Sequence, residues 1–421
     1  MTLCDSDSIT HSGDRCRRRP PGPFEKKVDE WREAFHNPSM QYRRFPQIDR
    51  EISALGLGCM RLPTLGQDAA AIDEAVFDAM LHAAADAGVT YVDTAYGYHK
   101  GMSEVALGAA LDRTGLRGRF TLTTKSPVWL IRDKGDWERI LDEQLARLKT
   151  DHVDFYLFHA LGTERWQTVL RLGGLEAFER FRKDGRIGHI GFSFHDSIAS
   201  FKTIIDDYPS WELCQVQYNY VDRDYQAGEA GLAYAAEREI GVVVMEPLRG
   251  GALASPMPAV RAALARWPTP RMPAEWGLRF ALDRQEVVTV LSGMCSVNQV
   301  WENAAVADAA RVNSLTRGER EVIEAARKIY KSRELVPCTS CGYCQPCPSS
   351  VAIPDIFDIY NAASMFDARK ERSSWYRVGY LGDGKGVDRC TRCGVCVTKC
   401  PQGIAIPDHL VEAHDYLMKE S

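Results

Sequence analysis

The chain has 421 residues, of which 45% are hydrophobic and 26% are charged, and its formal net charge is -5. This composition is too apolar for a disordered protein, and the negative balance argues against a nucleic-acid binder, whose phosphate-contacting surface is basic. No apolar run approaches the roughly eighteen residues of a membrane span, and no signal-peptide core precedes residue 40, so we expect a cytoplasmic protein.

The first part of the chain predicts a polar extension followed by a barrel. Residues 1–39 are polar and irregular and are expected to be partly disordered. From residue 52 to about 333, short apolar runs alternate with longer segments of helical period. The runs predict eight strands, at Ile52–Cys59, Thr90–Asp93, Phe120–Thr124, Val153–Phe158, Ile187–Phe192, Leu213–Gln217, Val242–Met245 and Val287–Leu291.

Eight such alternations predict an α/β fold, a (β/α)8 TIM barrel over residues 40–333. The first helix is the clearest, because Ile72, Val76, Met80 and Ala84 share one face and Gly88 follows at the expected helix end. A doubly wound open sheet is the alternative, but no Gly-x-Gly-x-x-Gly motif follows the first strand.

Four complementary side chains follow the predicted strands. Asp93 follows the second strand, Lys125 the third and His159 the fourth, and Tyr98 lies on the loop after the second. Catalytic groups of such barrels lie at the carboxyl ends of the strands. A phenol has a pKa of about 10, and a nearby ammonium lowers it. We therefore predict that Tyr98 protonates a carbonyl oxygen, that Lys125 lowers its pKa, that Asp93 keeps Lys125 charged and that His159 orients the carbonyl.

Each of these residues also has an ordinary structural explanation. Asp93 could cap a turn, Lys125 could be a solvated loop lysine, and His159 could be a hydrogen-bonded histidine at a strand end. Tyr91 or Tyr96, instead of Tyr98, could be the tyrosine that protonates the carbonyl oxygen. Taken together, four complementary groups on successive strand ends favour a catalytic site.

The last segment, 334–421, predicts a small iron–sulfur domain. Eight of the thirteen cysteines lie here, which in a reducing compartment is typical of metal ligands. These cysteines form two runs. The second run has the bacterial ferredoxin spacing, and in the first run the last spacer, between the third and fourth cysteines, is one residue shorter. The runs are Cys338-x2-Cys341-x2-Cys344-x2-Cys347-Pro and Cys390-x2-Cys393-x2-Cys396-x3-Cys400-Pro.

An internal repeat relates the two runs. Cys347-Pro-Ser-Ser-Val-Ala-Ile-Pro-Asp resembles Cys400-Pro-Gln-Gly-Ile-Ala-Ile-Pro-Asp, so Cys347 and Cys400 are equivalent. In two-cluster ferredoxins the fourth cysteine of a run ligates the other cluster. We therefore predict two [4Fe-4S] clusters, one on Cys338, Cys341, Cys344 and Cys400 and one on Cys390, Cys393, Cys396 and Cys347. Two zinc sites, or a single complete cluster on the second run, are the alternatives.

Several motifs in the barrel segment resemble those of one enzyme family. They are Leu55-Gly-Leu-Gly58, Val92-Asp-Thr-Ala-Tyr-Gly-Tyr98, Ser103-Glu104, Thr123-Thr-Lys125, Asp154-Phe-Tyr-Leu-Phe-His159, Ile187-Gly-His-Ile-Gly-Phe-Ser193 and Glu302-Asn303. Residues 40 to about 330 resemble an aldo-keto reductase, and the whole chain resembles the subgroup with a C-terminal ferredoxin-like domain. The resemblance implies a (β/α)8 fold, NAD(P)H as hydride donor and a small-molecule carbonyl or alcohol substrate.

The same resemblance implies a set of cofactor contacts. Ser193 and Gln215 match positions that hydrogen-bond the nicotinamide carboxamide, and Met245 stands where an aromatic ring usually stacks on the nicotinamide. Glu302 and Asn303 match positions near the adenine. No Lys or Arg lies between the eighth strand and this pair, so the choice between NADH and NADPH is open, with Arg249 as a candidate substitute for the missing 2′-phosphate ligand.

The leading interpretation is an NAD(P)H-dependent carbonyl oxidoreductase with an appended iron–sulfur module of structural or electron-transfer role. The alternative is an electron-transfer or redox-sensing protein that takes electrons from ferredoxin or another carrier rather than from free nicotinamide. Trp129 and Trp166 are candidates for the wall of a substrate pocket, with ordinary core packing as the other explanation.

Overall fold

Eight parallel strands form a closed barrel in the computed structural model, which describes residues 40–66, 68–340 and 342–419. The expected extension, 1–39, and the candidate ligand Cys341 lie outside the described residues. The barrel strands are β3 (Leu55–Gly58), β4 (Tyr91–Asp93), β5 (Thr121–Ser126), β6 (Val153–Leu161), β7 (Ile187–Phe194), β8 (Leu213–Gln217), β9 (Gly241–Met245) and β10 (Val287–Ser292). Because β10 pairs with both β9 and β3, the predicted (β/α)8 barrel is confirmed and the open sheet is wrong.

Helices surround this barrel. They are α1 (Glu74–Asp86), α2 (Met102–Thr114), α3 (Asp136–Leu148), α4 (Thr163–Arg171), α5 (Gly174–Lys183), α6 (Ile198–Asp207), α7 (Gly228–Ala236), α8 (Pro258–Leu264), α9 (Pro273–Leu282), α10 (Val297–Ala309) and α11 (Arg317–Lys331). In α1, Asp73 accepts a capping hydrogen bond from the Val76 N–H, Met80 and Ala84 are buried, and Gly88 follows with φ +78°. The end of the helix and the buried positions Met80 and Ala84 are as predicted, whereas Ile72 lies before the first turn and Val76 is half-buried.

The first predicted strand is wrong as a single element. Residues Glu51–Ser53 form β2, which pairs antiparallel with β1 (Tyr42–Arg44), and the barrel strand β3 begins only at Leu55. The adjoining Phe45 is fully buried, and its ring lies so close to Gly241 that a Cβ there would be 2.0 Å from it. Because Gly241 is the first residue of β9, this hairpin closes the amino-terminal end of the barrel.

The interior of the barrel is filled by side chains. Tyr91, Phe155, Leu157, Leu213 and Val243 pack there with Phe45, so the barrel is a core and not a channel. The outer faces of the strands pack against the helices in a second, larger core. The filled interior leaves the ends of the barrel as the places where a ligand could bind.

The C-terminal segment is helical in its described part and has its own core. Its helices are α12 (Ile353–Met365), α13 (Arg369–Tyr376), α14 (Val395–Lys399) and α15 (Ile406–Met418), with a π-helix at Arg377–Leu381. It contacts the barrel segment through α12, where Ser364 donates to the Arg333 carbonyl at 2.9 Å and Asp358 pairs with Arg249 at 3.2 Å. Within the described ranges, no helix has the length and hydropathy to cross a membrane.

Candidate functional site

Three of the predicted catalytic residues meet through one ammonium group. Asp93 is the last residue of β4, Lys125 is the penultimate residue of β5, and Tyr98 begins a 3-10 helix after β4. Lys125 Nζ donates to Asp93 Oδ1 at 2.5 Å, to the Thr94 carbonyl at 2.9 Å and to the Tyr98 hydroxyl at 3.3 Å. Parallel neighbouring strands carry these side chains to the same end of the barrel, as the sequence argument required.

The ion pair beneath the tyrosine is buried. Lys125 is 1% exposed and Asp93 is 2% exposed, and Gln215 Nε2 donates to the second carboxylate oxygen at 3.2 Å. Burial lowers the pKa of Lys125, but Asp93 and Tyr98 outweigh this effect, so the pKa is raised and the ammonium stays charged. Lys125 is therefore no solvated loop lysine, and the carboxylate of Asp93 faces a cation and an amide.

The pKa of Tyr98 moves against the net direction that we expected. Desolvation raises the pKa of Tyr98, and the charge of Lys125 is the largest influence that lowers it. The effect of desolvation is greater, so the pKa is raised. Lys125 thus acts in the predicted sense, but burial dominates. The phenol is consequently protonated at neutral pH.

Of the three candidate tyrosines, Tyr98 is the one that reaches Lys125. The Tyr96 hydroxyl donates to the carboxylate of Glu143 at 3.1 Å, on the outer side of the barrel. Tyr91 is fully buried in the barrel interior.

His159 lies at an irregularity of β6. The pairing of β6 with β7 shifts between Phe158 and Leu161, and Ala160 has φ +54°. Such a bulge redirects the side chain beside it, a common feature next to active sites. The His159 ring lies edge-on to the Tyr98 ring, with 5.9 Å between centroids.

The imidazole of His159 is neutral at physiological pH. Burial lowers its pKa well below the usual value, and the charges of Lys125 and Arg165 lower it further. Its Nδ1 is buried and has no hydrogen-bond partner in the described part of the chain. At this nitrogen, His159 therefore lacks the hydrogen bond that a purely structural histidine would make.

The two candidate tryptophans differ. Trp129 is 37% exposed, and its ring centroid lies 5.0 Å from that of His159, so it forms part of the wall of the opening. Trp166 is 1% exposed, donates to Asp207 at 2.7 Å and packs against Trp211. Trp166 is therefore a core residue.

The turn that carries Tyr98 is conformationally unusual. His99, Lys100 and Gly101 follow it with φ of 52°, 55° and 90°. The His99 ring accepts from the Leu62 N–H at 2.9 Å through Nε2, so Nδ1 carries the proton and donates to the Ala69 carbonyl at 2.6 Å. Left-handed backbone outside glycine is costly and persists where neighbouring structure enforces it, often at functional sites.

A buried polar network supports β5 from behind, and the sequence alone did not predict it. Glu104 accepts from Thr124 at 2.6 Å and from Gln144 at 2.5 Å, and Arg147 lies 3.3 Å from it. Gln144 also donates to the Lys125 carbonyl at 3.0 Å. Ser103-Glu104 is recognisable as a motif, but its position behind Lys125 depends on the packing of α2 and α3.

The predicted nicotinamide contacts lie on the other half of the opening. Ser193, Gln215 and Met245 are at or near the ends of β7, β8 and β9. The Ser193 hydroxyl accepts from the Ala160 N–H at 2.7 Å and keeps its own proton free to donate. Gln215 Oε1 is buried and has no partner among the described residues.

The predicted adenine contacts follow β10. Glu302 and Asn303 lie in α10, where Asn303 donates to the Ser292 hydroxyl at 3.0 Å. Arg249, the candidate substitute for the missing 2′-phosphate ligand, is ion-paired with Asp222 and, at 3.2 Å, with Asp358 of α12, so two carboxylates already balance its charge.

Two cavities in the C-terminal segment are lined by cysteines from both runs. One is lined by Cys347, Cys390, Cys393 and Cys396. The other is lined by Cys338, Cys344 and Cys400, and the remaining predicted ligand, Cys341, lies outside the described residues. Cys347 and Cys400 thus lie beside the opposite run.

These cavities fit a multi-iron cluster better than a single ion. In the described ranges, no three His, Cys, Asp or Glu side chains converge closely enough to hold one metal ion. In a cluster each thiolate binds a different iron, so the sulfurs surround a volume instead of meeting at a point. Tetrahedral zinc would instead need all four ligands to contact one ion.

Comparison with known proteins agrees with this geometry. Residues 54–316 match the model of the aldo/keto reductase family. The chain belongs to this family. Residues 337–405 match the model of a 4Fe-4S dicluster domain.

Similar proteins include the uncharacterized oxidoreductase YqkF of Bacillus subtilis (strain 168), which is 27% identical over 329 residues, or 70% of this chain and 99% of that protein. The aldo-keto reductase AKR11C1 from Bacillus halodurans, in its holo form, has a TM-score of 0.56 at 27% identity and covers 68% of this chain and 96% of its own. An aldo-keto reductase from Klebsiella pneumoniae in complex with NADPH has a TM-score of 0.55 at 25% identity, covering 68% of this chain and 94% of its own. The chain is accordingly an oxidoreductase.

Proposed function

We propose that this enzyme reduces the carbonyl group of a small aldehyde, ketone or sugar-like substrate with NAD(P)H, with Tyr98 as the general acid. The observation that carries the proposal is the position of Lys125 Nζ, 2.5 Å from Asp93 and 3.3 Å from the Tyr98 hydroxyl, at the open end of the barrel. When bound, NAD(P)H supplies a hydride to the carbonyl carbon.

Tyr98 supplies the matching proton. Its hydroxyl is protonated at neutral pH and transfers the proton to the carbonyl oxygen, so the carbonyl becomes an alcohol and a phenolate is left. The Lys125 ammonium stabilises this phenolate as it forms, since a fixed cation in a water-poor site acts strongly on developing charge. Solvent returns the proton to Tyr98 after the product leaves.

His159 and Asp93 position the other groups. The neutral His159 imidazole donates a hydrogen bond to the carbonyl oxygen and polarises it without adding a full charge. Asp93 holds Lys125 in place through the 2.5 Å ion pair, which keeps the ammonium directed at the phenol.

The wall formed by β7 to β9 suits the nicotinamide carboxamide. The unpartnered Gln215 Oε1 can accept from the amide nitrogen, and the Ser193 hydroxyl can donate to the amide oxygen. Met245 would provide the apolar surface for the ring, and Glu302 and Asn303 would hold the adenosine end. NADPH in the Klebsiella pneumoniae relative supports a nicotinamide dinucleotide as the cofactor.

We further propose two [4Fe-4S] clusters in a cytoplasmic enzyme, with the ligand sets predicted from the repeat. Cys390, Cys393, Cys396 and Cys347 would hold one, and Cys338, Cys341, Cys344 and Cys400 the other. When bound, each cluster transfers one electron at a time. Ile353, the first residue of α12, lines both cavities, so the clusters would stabilise the core of this segment from both sides.

One observation favours a second function for this segment. Cys393 is exposed, so the cluster that it ligates would lie near the surface, within reach of an electron carrier such as a ferredoxin. The clusters would then exchange electrons with that partner. The reaction in the barrel would use these electrons and not only those of free nicotinamide.

Anaerobic turnover after cluster reconstitution tests the main proposal. A set of aldehydes and ketones is offered with NADH and with NADPH, and alcohol formation and nicotinamide oxidation are measured together. We expect one alcohol for each nicotinamide oxidised, without bleaching of the cluster absorbance. Alcohol formation that requires reduced ferredoxin, with no consumption of either nicotinamide, would support the second function and overturn the first.

A further inference from the structure

The rim of the barrel opening carries a guanidinium that the proposed mechanism does not use. Arg165 lies in α4, and its Nη1 donates at 2.6 Å to the carbonyl of Ala160, the residue after His159. Its Cζ lies 5.4 Å from the centre of the Trp129 ring, which itself lies 5.0 Å from the His159 ring. These contacts place a cation beside the carbonyl-binding end of the site.

Arg165 is half-buried, and no carboxylate lies within 4.0 Å of it among the residues that the structure describes. Burial lowers its pKa, and Glu164 of the same helix and Asp355 of α12 counteract this only from beyond ion-pair distance. Arg249, in the 3-10 helix after β9, is instead paired with both Asp222 and Asp358. Arg165 thus keeps its charge without a counter-ion in contact.

A partly desolvated cation of this kind is unfavourable unless a ligand supplies the opposite charge. Resting on the proposed function, we infer that the carbonyl substrate also carries a carboxylate, which Arg165 binds while the carbonyl contacts Tyr98 and His159. The planar guanidinium matches a carboxylate through two parallel hydrogen bonds. One guanidinium balances one negative charge, which favours a monoanion over a phosphate dianion, and the exposed face of Trp129 provides an apolar surface for the carbon atoms between the two ends.

Matched substrates and matched variants test this inference on the reconstituted full-length enzyme. The substrates are 4-carboxybenzaldehyde and its neutral counterpart methyl 4-formylbenzoate, and 4-oxobutanoate and its methyl ester, with glyceraldehyde 3-phosphate as the phosphate arm. The variants are Arg165→Met, which removes the charge, Arg165→Lys, which keeps it, and Arg171→Met, which removes an exposed arginine from the same helix.

We expect the wild-type enzyme to prefer each acid over its ester. Arg165→Met should lower kcat/KM for the acids by about 10-fold to 100-fold, chiefly through KM, and lower it far less for the esters, since a charge-assisted hydrogen bond is worth that factor. Arg165→Lys should retain part of the preference, and Arg171→Met should retain all of it.

Three results would overturn the inference. They are equal kcat/KM for acid and ester in the wild type, an equal loss for both in Arg165→Met, and a preference for the phosphate over both acids. In each case reduction of the esters would leave the proposed function standing. Failure to reduce any of these carbonyl compounds would instead contradict the proposed function itself.

Discussion

At the scale of single residues, the site separates buried supporting groups from groups that meet the substrate. Asp93 and Lys125 are almost completely buried, whereas Tyr98, His159 and Trp129 are partly exposed at the opening. A buried ion pair is poor evidence for stability, because desolvation offsets most of the attraction. The position of this ion pair beneath the Tyr98 phenol is better explained by the catalytic role that we propose than by a contribution to stability.

The lowered pKa of His159 gives a prediction for the pH dependence. Because burial and Lys125 lower this pKa well below 6.5, the imidazole is neutral above that lowered value and becomes charged only in more acidic solution. We expect kcat/KM for carbonyl reduction to show no inflection between pH 6 and 8, with a decline confined to lower pH. The measurement is the pH profile of the wild type beside that of His159→Gln.

The contrary result is equally clear. An acidic limb centred near pH 6.5 in the wild type, absent from His159→Gln, would show that this histidine titrates as an ordinary exposed imidazole. The neutral hydrogen-bond donor would then be the wrong description of its role.

At the scale of elements, the turn after β4 determines where the Tyr98 hydroxyl lies. Gly101 has φ +90°, a conformation that disfavours any residue with a Cβ, although a Cβ there would meet only the Tyr96 carbonyl at 3.8 Å. Gly97, on the other side of Tyr98, has φ -91°, and a Cβ at this position would have no neighbour within 4 Å. The two glycines therefore differ in backbone conformation and hardly at all in the space available for a Cβ.

This contrast predicts different effects of the same substitution. Gly101→Ala should cost about 1–2 kcal/mol through backbone strain, lower Tm by a few degrees and reduce kcat by displacing Tyr98. Gly97→Ala should change Tm and kcat little. Thermal unfolding and steady-state kinetics of both variants provide the check, and equal effects would show that φ at Gly101 is not what shapes the turn.

The sequence predicted the strands correctly where one apolar run in the sequence forms one strand in the structure. The strands from β4 onward are recovered within a few residues, because each is a short run of apolar or β-branched residues between segments of helical period. The run from Ile52 to Cys59 is divided between two sheets, which periodicity cannot show. The bulge at Ala160 is likewise invisible, since it depends on the register with β7.

Prediction of the site was limited for a similar reason. The convergence of Asp93, Tyr98, Lys125 and His159 could be predicted because strand ends meet at one end of a closed barrel. The function that we infer for Arg165 had no signal in the sequence, because an arginine on an amphipathic helix is ordinary, and its missing counter-ion is a three-dimensional property. The net shift of the Tyr98 pKa depends on burial, which the sequence does not quantify.

At the scale of the whole molecule, the C-terminal segment lies next to the barrel opening. Asp358 of α12 reaches Arg249, and Asp355 acts on Arg165 at longer range. The cysteine-lined cavities flank the start of the same helix, since Ile353 lines both. Loss of the clusters is therefore expected to disturb the opening as well as the segment that holds them.

Iron counting with stepwise removal of cysteines tests the cluster arrangement. The wild type should contain about eight irons and eight sulfides after anaerobic reconstitution. Replacing Cys338 and Cys344 by Ser should leave about four irons, and adding Cys347→Ser should remove most of the rest, because Cys347 lines the cavity of the second run. Cys295→Ser, an exposed cysteine outside both cavities, is the control.

The alternatives give different counts. If Cys347 served its own run, its replacement in the double variant would leave the four irons in place. Zinc in stoichiometric amounts with no sulfide would contradict the cluster assignment altogether.

The central claim is that the Tyr98 hydroxyl, beside Lys125, donates the proton in carbonyl reduction. Its most direct test is the rate of carbonyl reduction by Tyr98→Phe compared with Tyr96→Phe, with nicotinamide binding measured in both. We predict that Tyr98→Phe binds the nicotinamide normally but loses at least about 100-fold in kcat, whereas Tyr96→Phe stays near the wild-type rate. Undiminished reduction by Tyr98→Phe would contradict the claim.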